Sequence, residues 1–257
     1  MNNHQIFIAY WTIARKESGR FLRIWKQTLL PSVVTTGLYY VIFGTFIGSQ
    51  IAAIGGYSYM QFIVPGLVMM AVITNAFSNV VSSFFGSKFQ RDIDELLVSP
   101  TPNWVIIAGY VTGGVLRGIV VGALVLGVAL FFTKLTVHSW AIVIGFLLLT
   151  AIVFSLAGLF NAAFAKKFDD TMIVPTFVLT PLTYLGGVFY SIHALPPFWQ
   201  TVSQANPILY MVSGFRYGFL GLSDVSVWAS FSLLAALCII LLFANIFIFT
   251  KGYGLKN

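Results

Sequence analysis

Closely spaced carboxylates are the side chains of this sequence best suited to chemistry. Asp92, Asp94 and Glu95 fall within one turn of chain, and Asp169 and Asp170 are adjacent. Two carboxylates can act as general acid and general base when a fold brings them together around a substrate. Both groups lie in short polar segments between long apolar runs, where they fit a solvated face or a protein contact better than hydrolysis. The sequence therefore assigns no catalytic residue, and the chain is not expected to be an enzyme.

Metal and nucleotide chemistry also lack their usual sequence patterns. The histidines fall in three separate segments, without the spacing of metal ligands: His4, His138 and His193. The stretch Gly44–Gly48 holds two glycines but no following lysine, so it is not a phosphate-binding loop. We expect no metal site and no cofactor on this chain.

The composition identifies the environment in which the chain folds. Apolar residues make up 58% of its 257 residues and charged residues only 8%, whereas about a quarter of a soluble domain is charged. Such a chain cannot cover itself with a water-compatible surface, which excludes a soluble enzyme and a nucleic-acid binder. The net charge of +7 comes from short cationic segments between apolar runs. This distribution is typical of loops held on one side of a bilayer.

Six apolar runs are long enough to cross a membrane. A bilayer core about 30 Å thick needs about 20 apolar residues of helix, and lipid does not tolerate irregular backbone. We therefore predict an all-α integral membrane protein with a single transmembrane domain over residues 1–257. The predicted spans are 29–48, 61–85, 104–132, 140–164, 172–190 and 229–250.

The lysines and arginines orient these spans. Two of them, Lys134 and Arg216, fall on one side of the arrangement, and eleven fall on the other. Because cationic loops stay in the cytoplasm, both termini are predicted to be cytoplasmic. The eleven are Arg15, Lys16, Arg20, Arg23, Lys26, Lys88, Arg91, Lys166, Lys167, Lys251 and Lys256.

Two further segments are helical without being ordinary spans. Residues 4–26 interleave aromatic and basic side chains, which predicts an amphipathic helix in the membrane interface. That helix serves either as a membrane-surface anchor in contact with lipid or as a contact for a partner. Residues 191–228 contain several prolines and Arg216, and so favour a re-entrant hairpin on the outer side.

Polar side chains inside the predicted spans are the candidates for a transport pathway. The second span carries Asn75, Ser78, Asn79 and Ser82 at helical spacing, and Arg117 lies near the middle of the third span. Both features have a structural reading, as interhelical hydrogen bonds and helix packing, and a functional one, as pathway lining. The runs contain no Asp or Glu, which argues against a carrier driven by protons or sodium.

The loop of residues 86–103 is the most informative connection. Phe89, Ile93 and Leu96 fall on one helical face, and Pro100 and Pro102 end the helix. The charged residues fall elsewhere on that helix: Arg91, Asp92, Asp94 and Glu95. This pattern predicts a short amphipathic helix that docks on another protein.

Three stretches together resemble one family of membrane proteins. They are Tyr59–Leu67, the loop from Lys88 running into Gly109, and the segment from Pro181 to Arg216. With the basic helix in front of them, they resemble the permease subunits of ABC transporters of the ABC-2 export family, and especially the small bacterial YadH-like permeases. The resemblance covers nearly the whole chain and implies an exporter fold in the bacterial inner membrane.

The partners expected for this chain are implied by the resemblance. It implies that the 86–103 loop is a coupling helix on a separate ATPase subunit, with Arg91, Asp92, Asp94 and Glu95 in contact. It also implies that the interface helix, with Glu17, Arg20 and Arg23, helps to transmit motion. The expected assembly has two permeases, as a homodimer, and two ATPase copies that bind ATP and magnesium. The alternatives are a stand-alone secondary carrier or channel and a structural or regulatory membrane subunit that transports nothing.

Overall fold

A computed structural model describes residues 1–51 and 53–254, which form a helical bundle without extended strands. In this part of the chain the helices are α1 Asn3–Arg23, α2 Trp25–Thr28, α3 Leu30–Tyr39, α4 Tyr59–Phe89, α5 Asp92–Val98, α6 Asn103–Ala129, α7 Trp140–Phe164, α8 Asp170–Val174, α9 Thr180–Tyr184, α10 Pro197–Gln204, α11 Pro207–Leu220 and α12 Val227–Lys251. Lys256, one of the cations predicted to be cytoplasmic, lies outside the described residues.

Two of the helical stretches contain wider π-helical turns. The first is Tyr40–Ile47, which continues α3, and the second is Pro175–Leu179, which joins α8 to α9. With these turns included, α2 and α3 become part of one helical stretch, Trp25–Gln50. Residues 170–184 likewise form one stretch with two prolines in it.

Among the described residues, five helices are long and apolar enough to cross a membrane: Trp25–Gln50, Tyr59–Phe89, Asn103–Ala129, Trp140–Phe164 and Val227–Lys251. They match five of the six predicted spans to within four residues at each end. The predicted span 172–190 differs, because its helix ends at Tyr184 and is interrupted by the π turns that start at Pro175. A proline lacks the backbone N–H that an α-helix needs at that point, which accounts for the interruption.

The centre of the bundle is α4, which is buried along most of its length against α6, α7 and α11. Glycines allow the close approach. A side chain at Gly114 of α6 would meet Val80 and Ala76 of α4, and one at Gly158 of α7 would meet the backbone of Phe77. Small residues are the usual means by which membrane helices pack closely.

The two ends of the bundle are defined by contacts of α4. At its C-terminus, the Lys88 Nζ donates to the carbonyl oxygens of Ala163 and Ala165 at the end of α7, both at 2.8 Å. At its N-terminus, the Tyr59 hydroxyl donates to the Phe189 carbonyl at 3.0 Å. We refer to these as the Lys88 end and the Tyr59 end.

The segment with the broken helix runs from one end of the bundle to the other. The Phe168 ring lies 4.9 Å from that of Phe85, near the Lys88 end, and Phe189 is held at the Tyr59 end. The helix of residues 170–184 and the turn after it therefore cover the length of α4, although the helix alone is too short to do so.

Helices α10 and α11 stay near the Tyr59 end. The Asn206 Nδ2, just before α11, donates to the Leu182 carbonyl at 2.6 Å. At the other end of α11, the Phe219 carbonyl accepts from the backbone N–H of His138 at 3.1 Å, beside the start of α7. The 14 residues of α11 span about 21 Å at 1.5 Å per residue, which is less than the bilayer core.

Helix α1 packs against the first half of α6. Ile13 and Glu17, one turn apart, lie against Gly109 and Gly113, which are also one turn apart. The inward face buries Ile13, Ala14, Glu17 and Phe21. Residues 4–26 were predicted to form an amphipathic helix, and the structure has a helix over Asn3–Arg23. The face opposite the buried residues is exposed.

Candidate functional site

The predicted coupling helix is α5, set off from α4 by a sharp turn at Arg91. Arg91 has a φ of 64°, the left-handed conformation that residues other than glycine rarely adopt. This turn lets α5 fold back under the bundle. Its single buried residue is Ile93, at 1% exposure, within a core cluster that includes Phe85 and Ile106.

The exposed face of α5 is acidic. Asp92, Asp94 and Glu95 are all exposed, and Arg91 beside them is exposed as well. Leu96 is half-buried against the same cluster as Ile93. The four charged residues named from the sequence are therefore all accessible, around the short helix at the Lys88 end.

The apolar face of this helix differs from the prediction in one respect. Phe89 does not share it, because Phe89 ends α4, before the turn, and is 61% exposed. Its ring lies 4.9 Å from that of Phe168. The left-handed turn at Arg91 breaks the helical spacing on which the prediction relied. Ile93 and Leu96 hold α5 to its own bundle rather than facing a partner.

Lys88 is a residue of this site whose role the sequence did not indicate. It is buried, and its ammonium group donates to two carbonyls at the C-terminus of α7. The last carbonyls of a helix lack partners within that helix and carry a partial negative charge. A lysine in the last turn of a span was the only signal available, because its acceptors are 75 and 77 residues away.

The polar residues of α4 divide into two parallel rows. Thr74, Ser78 and Ser82 form a row that is exposed or half-buried, whereas Asn75 and Asn79 are buried. Each row repeats every four residues, and the two lie side by side on the helix. From the sequence these residues form one stripe with two possible roles, and the structure separates the stripe into two.

The buried row binds arginines from other elements. The Asn75 Oδ1 accepts from the Arg117 Nη2 at 2.9 Å, and the same nitrogen donates to the Thr28 carbonyl at 3.0 Å. The Asn75 Nδ2 donates to the Ser32 Oγ at 2.8 Å. Arg117 therefore joins α6 to α4 and to the start of the first span through its Nη2, which donates to neutral oxygens. Within the described residues its buried Nε has no hydrogen-bond partner and no carboxylate pairs with the guanidinium.

One turn further along, Asn79 fixes the interface helix. The Arg20 Nη2 donates to the Asn79 carbonyl at 2.8 Å and to its Oδ1 at 3.0 Å. The Ser83 hydroxyl donates to Glu17, whose Oε2 lies 3.6 Å from the Arg20 Nε. Arg23 is exposed. Of the three interface-helix residues named from the sequence, Glu17 and Arg20 thus contact α4, and Arg23 does not.

The carboxyl group of Glu17 is shielded from solvent. Its side chain is 1% exposed, and burial raises its pKa above the ordinary value of 4.5. The hydrogen bond from Ser83 and the charge of Arg20 oppose this shift. The net result is a carboxyl that holds its proton more tightly in the folded chain than in the unfolded one.

Raising the pH is therefore expected to destabilise the protein relative to a Glu17→Gln variant. The folded state binds more protons than the unfolded state between pH 4.5 and the raised pKa, so stability falls as pH rises through this window. The penalty is absent below the window and fully present above it. Unfolding free energies of both proteins in detergent, compared in steps upward from pH 4.5, test this. A difference that does not change with pH would contradict it.

A second polar cluster lies at the Tyr59 end, around Arg216. Its side chain is 1% exposed and pairs with Asp224, with 3.1 Å between Nη1 and Oδ2. It also donates to the carbonyls of Phe62 at 3.3 Å and Gly187 at 2.5 Å, and its guanidinium lies 3.9 Å from the centre of the Phe62 ring. Arg216 is thus a buried junction of α11, α4 and the turn at Gly187, rather than a loop charge.

Asp224 completes this junction, and sequence reasoning missed it. Its Oδ1 accepts from the Ser191 hydroxyl, and its backbone N–H donates to the Ser213 Oγ at 2.9 Å. The only available signal was an acidic residue eight positions after Arg216 on the predicted outer side. That spacing does not pair two side chains unless the chain turns back, as it does after α11.

A recess with both apolar and hydroxyl-bearing side chains separates the first span from α4. It has a volume of about 220 Å³ and opens to the outside of the bundle. Hydroxyl side chains make up much of its lining, from Ser32, Thr35 and Thr36 on one side and Thr74 on the other. The exposed row of α4 begins here.

Comparison with known proteins shows which family and which proteins this chain is similar to. The family model described as "ABC-2 type transporter" matches residues 8–220. The chain is 58% identical to the inner membrane transport permease YadH of Escherichia coli strain K12, over 99% of both chains. It is also 26% identical to nodulation protein J of Rhizobium leguminosarum bv. trifolii, over 84% of this chain and 83% of that protein.

Proposed function

Since the chain belongs to the ABC-2 type transporter family, we propose that it is the permease subunit of an ATP-binding cassette exporter. In this proposal two copies of the chain form the pathway, and a separate ATPase subunit, also in two copies, binds ATP and magnesium. The family expected from the sequence resemblance is confirmed. The assembly, the direction of transport and the role of each residue are what we propose.

The observation that carries the proposal is the construction of α5. One apolar side chain, Ile93, fixes the helix to the bundle, and three carboxylates face outward beside it. A surface loop with no partner has no need for an anchored helix that presents a concentrated charge. A cleft on a soluble ATPase subunit with basic side chains would match this surface.

Motion of α5 would reach the spans through two connections. Lys88 ties the end of α4 to the end of α7, so the two helices would move together. Glu17 and Arg20 tie α1 to Ser83 and Asn79 of α4, roughly one and a half to two and a half turns further in. We propose that ATP binding draws the two α5 helices together and that these ties pass the movement to the bundle, which switches access to the other side.

The proposed pathway runs along the exposed row of α4 at the face between two copies. Thr74, Ser78 and Ser82 line it, together with the recess beside the first span. The first span is little buried in one chain, with Val34, Leu38, Ile42 and Phe46 all exposed. A second copy packed across this face would cover them. Asn75 reaches the edge of that recess, whereas Asn79 and Arg117 would support the pathway from behind.

We further propose six crossings, with both termini in the cytoplasm of a bacterial cell and the domain in its inner membrane. The broken helix of residues 170–184 would make the fifth crossing, which its contacts at both ends of α4 support. Helices α10 and α11 would re-enter from the outer side, because α11 starts beside Leu182 and returns to the Tyr59 end. The cations Lys88, Lys166, Lys167 and Lys251 then share the cytoplasmic side.

Co-purification tests the ATPase partnership. The tagged protein, solubilised from its native membrane in mild detergent, is expected to recover a P-loop ATPase in about equal amount. Changing Asp94 and Glu95 to Lys should abolish recovery, because it reverses two of the charges that α5 presents. Asp169→Lys, the same change at another exposed carboxylate, serves as the matched control and should retain the ATPase. An intact permease that never recovers an ATPase would contradict the proposal and favour a stand-alone carrier.

Thiol labelling tests which row of α4 faces the pathway. In a Cys238→Ser background, Ser78→Cys is expected to react with a water-soluble maleimide at least tenfold faster than Ala76→Cys. The reason is that Ser78 lies in the open row, whereas Ala76 is fully buried two residues earlier on the same helix. Equal rates at the two positions would remove the open row from the proposed pathway.

A further inference from the structure

The outward face of α1 carries cations that no carboxylate on that face neutralises. Arg15, Lys16 and Arg23 are exposed, and Arg20 is half-buried at their edge. The one acidic residue of α1, Glu17, is turned inward against Ser83. Arg20 is paired with Glu17, whereas Arg15, Lys16 and Arg23 form no salt bridge within the described residues, so the face carries a concentrated positive charge.

The same face is a groove rather than a flat surface. It is an open groove of about 730 Å³ between the side chains of α1, from Trp11 at one end to Ile24 just after the helix. Gly19 leaves a gap in the row of side chains that line it. Gly19 lies four residues after Arg15 and four before Arg23, and no described atom comes within 4 Å of the position that a Cβ would take. A compact anion in this gap would have guanidinium groups on both sides.

The surroundings of the groove indicate a lipid rather than a soluble anion. Trp11, Ile24 and Trp25 are exposed beside the cations, a combination typical of helices that lie in the membrane interface. The groove also ends where the first span begins, since Arg23 is two residues before Trp25. A headgroup bound in the groove would thus place its acyl chains against the apolar surface of that span.

We propose that this groove binds the phosphate headgroup of an anionic phospholipid from the cytoplasmic leaflet. Arg15 and Arg23 hold the phosphate across Gly19, Lys16 adds charge, and Trp11 and Ile24 insert beside the acyl chains. The inference rests on the proposed function in one respect, the cytoplasmic placement of the Lys88 end. The site does not require the ATPase, and it uses a face of α1 opposite to the one that contacts α4.

The experiment measures lipid binding to the purified full-length permease without any ATPase. Native mass spectrometry in detergent follows titration with phosphatidylglycerol or, separately, with zwitterionic phosphatidylcholine. Phosphatidylglycerol is expected to bind at least tenfold more tightly. Arg15→Gln and Arg23→Gln should each weaken its binding about fivefold, because one cation near an anionic lipid contributes about 1 kcal/mol. Equal binding of the two lipids would overturn the proposal.

Filling the gap separates a defined site from general charge attraction. Gly19→Leu adds a side chain where there is room for it and leaves every charge in place. It is expected to weaken phosphatidylglycerol binding at least fivefold with an unchanged unfolding midpoint. The matched control is Gly127→Leu, at a helical glycine of α6 that is equally open, and it should bind as the wild type does. Unchanged binding in the Gly19→Leu variant would overturn the headgroup site.

Two further measurements distinguish a lipid in this groove from free phosphate and from the ATPase subunit. Inorganic phosphate that displaces the lipid at equal concentration would mean that the groove recognises free phosphate, which overturns the lipid assignment. An Arg15→Gln/Arg23→Gln variant that keeps full lipid binding but loses the co-purifying ATPase would assign the groove to that partner instead. Failure of the wild-type chain to recover an ATPase would overturn the proposed function but not this site, because the titration uses the permease alone.

Discussion

Replacing Asp224 by Ala is expected to lower the free energy of unfolding by about 3–5 kcal/mol, the range found when one partner of a buried ion pair is removed. Arg216 would remain 1% exposed, with its charge opposite no carboxylate. The hydrogen bonds from its guanidinium to the Phe62 and Gly187 carbonyls would persist. Neutral carbonyls, however, do not offset the cost of a buried charge.

A double variant distinguishes the unpaired charge from a general loss of contacts. Arg216→Met with Asp224→Ala removes both charges and keeps an apolar side chain of similar length, so it should recover at least half of the lost stability. Asp94→Ala, at an exposed carboxylate, should leave the unfolding free energy unchanged. Unfolding in detergent by increasing fractions of SDS provides the measurement. A loss of less than about 1 kcal/mol in the single variant, as exposed pairs show, would mean that Arg216 and Asp224 do not form a structural junction.

Replacing Gly158 by Ala is expected to destabilise the packing of α7 on α4. The added Cβ would lie 2.6 Å from the Phe77 carbonyl oxygen and 3.3 Å from its Cα. Both are backbone atoms at the centre of the bundle, so the two helices must move apart. Overpacking of this kind costs about 1–3 kcal/mol.

Gly127→Ala is the matched control for this prediction, because its Cβ would meet nothing within 4 Å among the described residues. It should be neutral, or more stable by up to about 1 kcal/mol from helix propensity. Both variants would be compared with the wild type in the same SDS titration. Equal unfolding free energies of the two alanine variants would show that the contact of α7 with α4 accommodates the added methyl group without loss of stability.

Five of the predicted spans were predictable because long apolar runs leave the chain little choice in a membrane. The exception shows the limit of that reasoning. Residues 172–190 are as apolar as a span, but Pro175 and Pro181 remove backbone donors, and the helix of residues 170–184 widens into π turns. Composition gives the length of an apolar run, whereas the course of its backbone depends on where proline falls.

Helix α5, which we predicted to be a coupling helix, was predictable in position but not in orientation. Its boundaries follow from the acidic cluster and the prolines behind it. The side on which Phe89 lies depends on one left-handed residue, Arg91, and no spacing rule indicates a positive φ at an arginine. For the same reason the separation of Phe89 from Ile93 became visible only in the structure.

The polar clusters depended on tertiary contacts that no local pattern contains. The alternation of open and buried rows on α4 follows from its neighbours, which bury Asn75 and Asn79 and bring Arg117 and Arg20 to them. The pair of Arg216 and Asp224 forms because the chain reverses after α11. Helical spacing groups the polar residues of α4, but the arginines that bind Asn75 and Asn79 lie 42 and 59 positions away.

In the proposed function, the two roles of α5 would be held by different residues, and this would bear on how such transporters diversify. Ile93 secures the helix, while the outward carboxylates are free of any part in the bundle's own packing. Substitutions among those carboxylates therefore cost the fold little, since what they lose is the weak attraction of a negative charge to the first turn of α5. After a gene duplication, a few substitutions on this surface could let one permease bind a different ATPase subunit. It would then no longer bind the ATPase of the permease from which it arose. Mutually exclusive transporter pairs could be engineered in the laboratory by the same route.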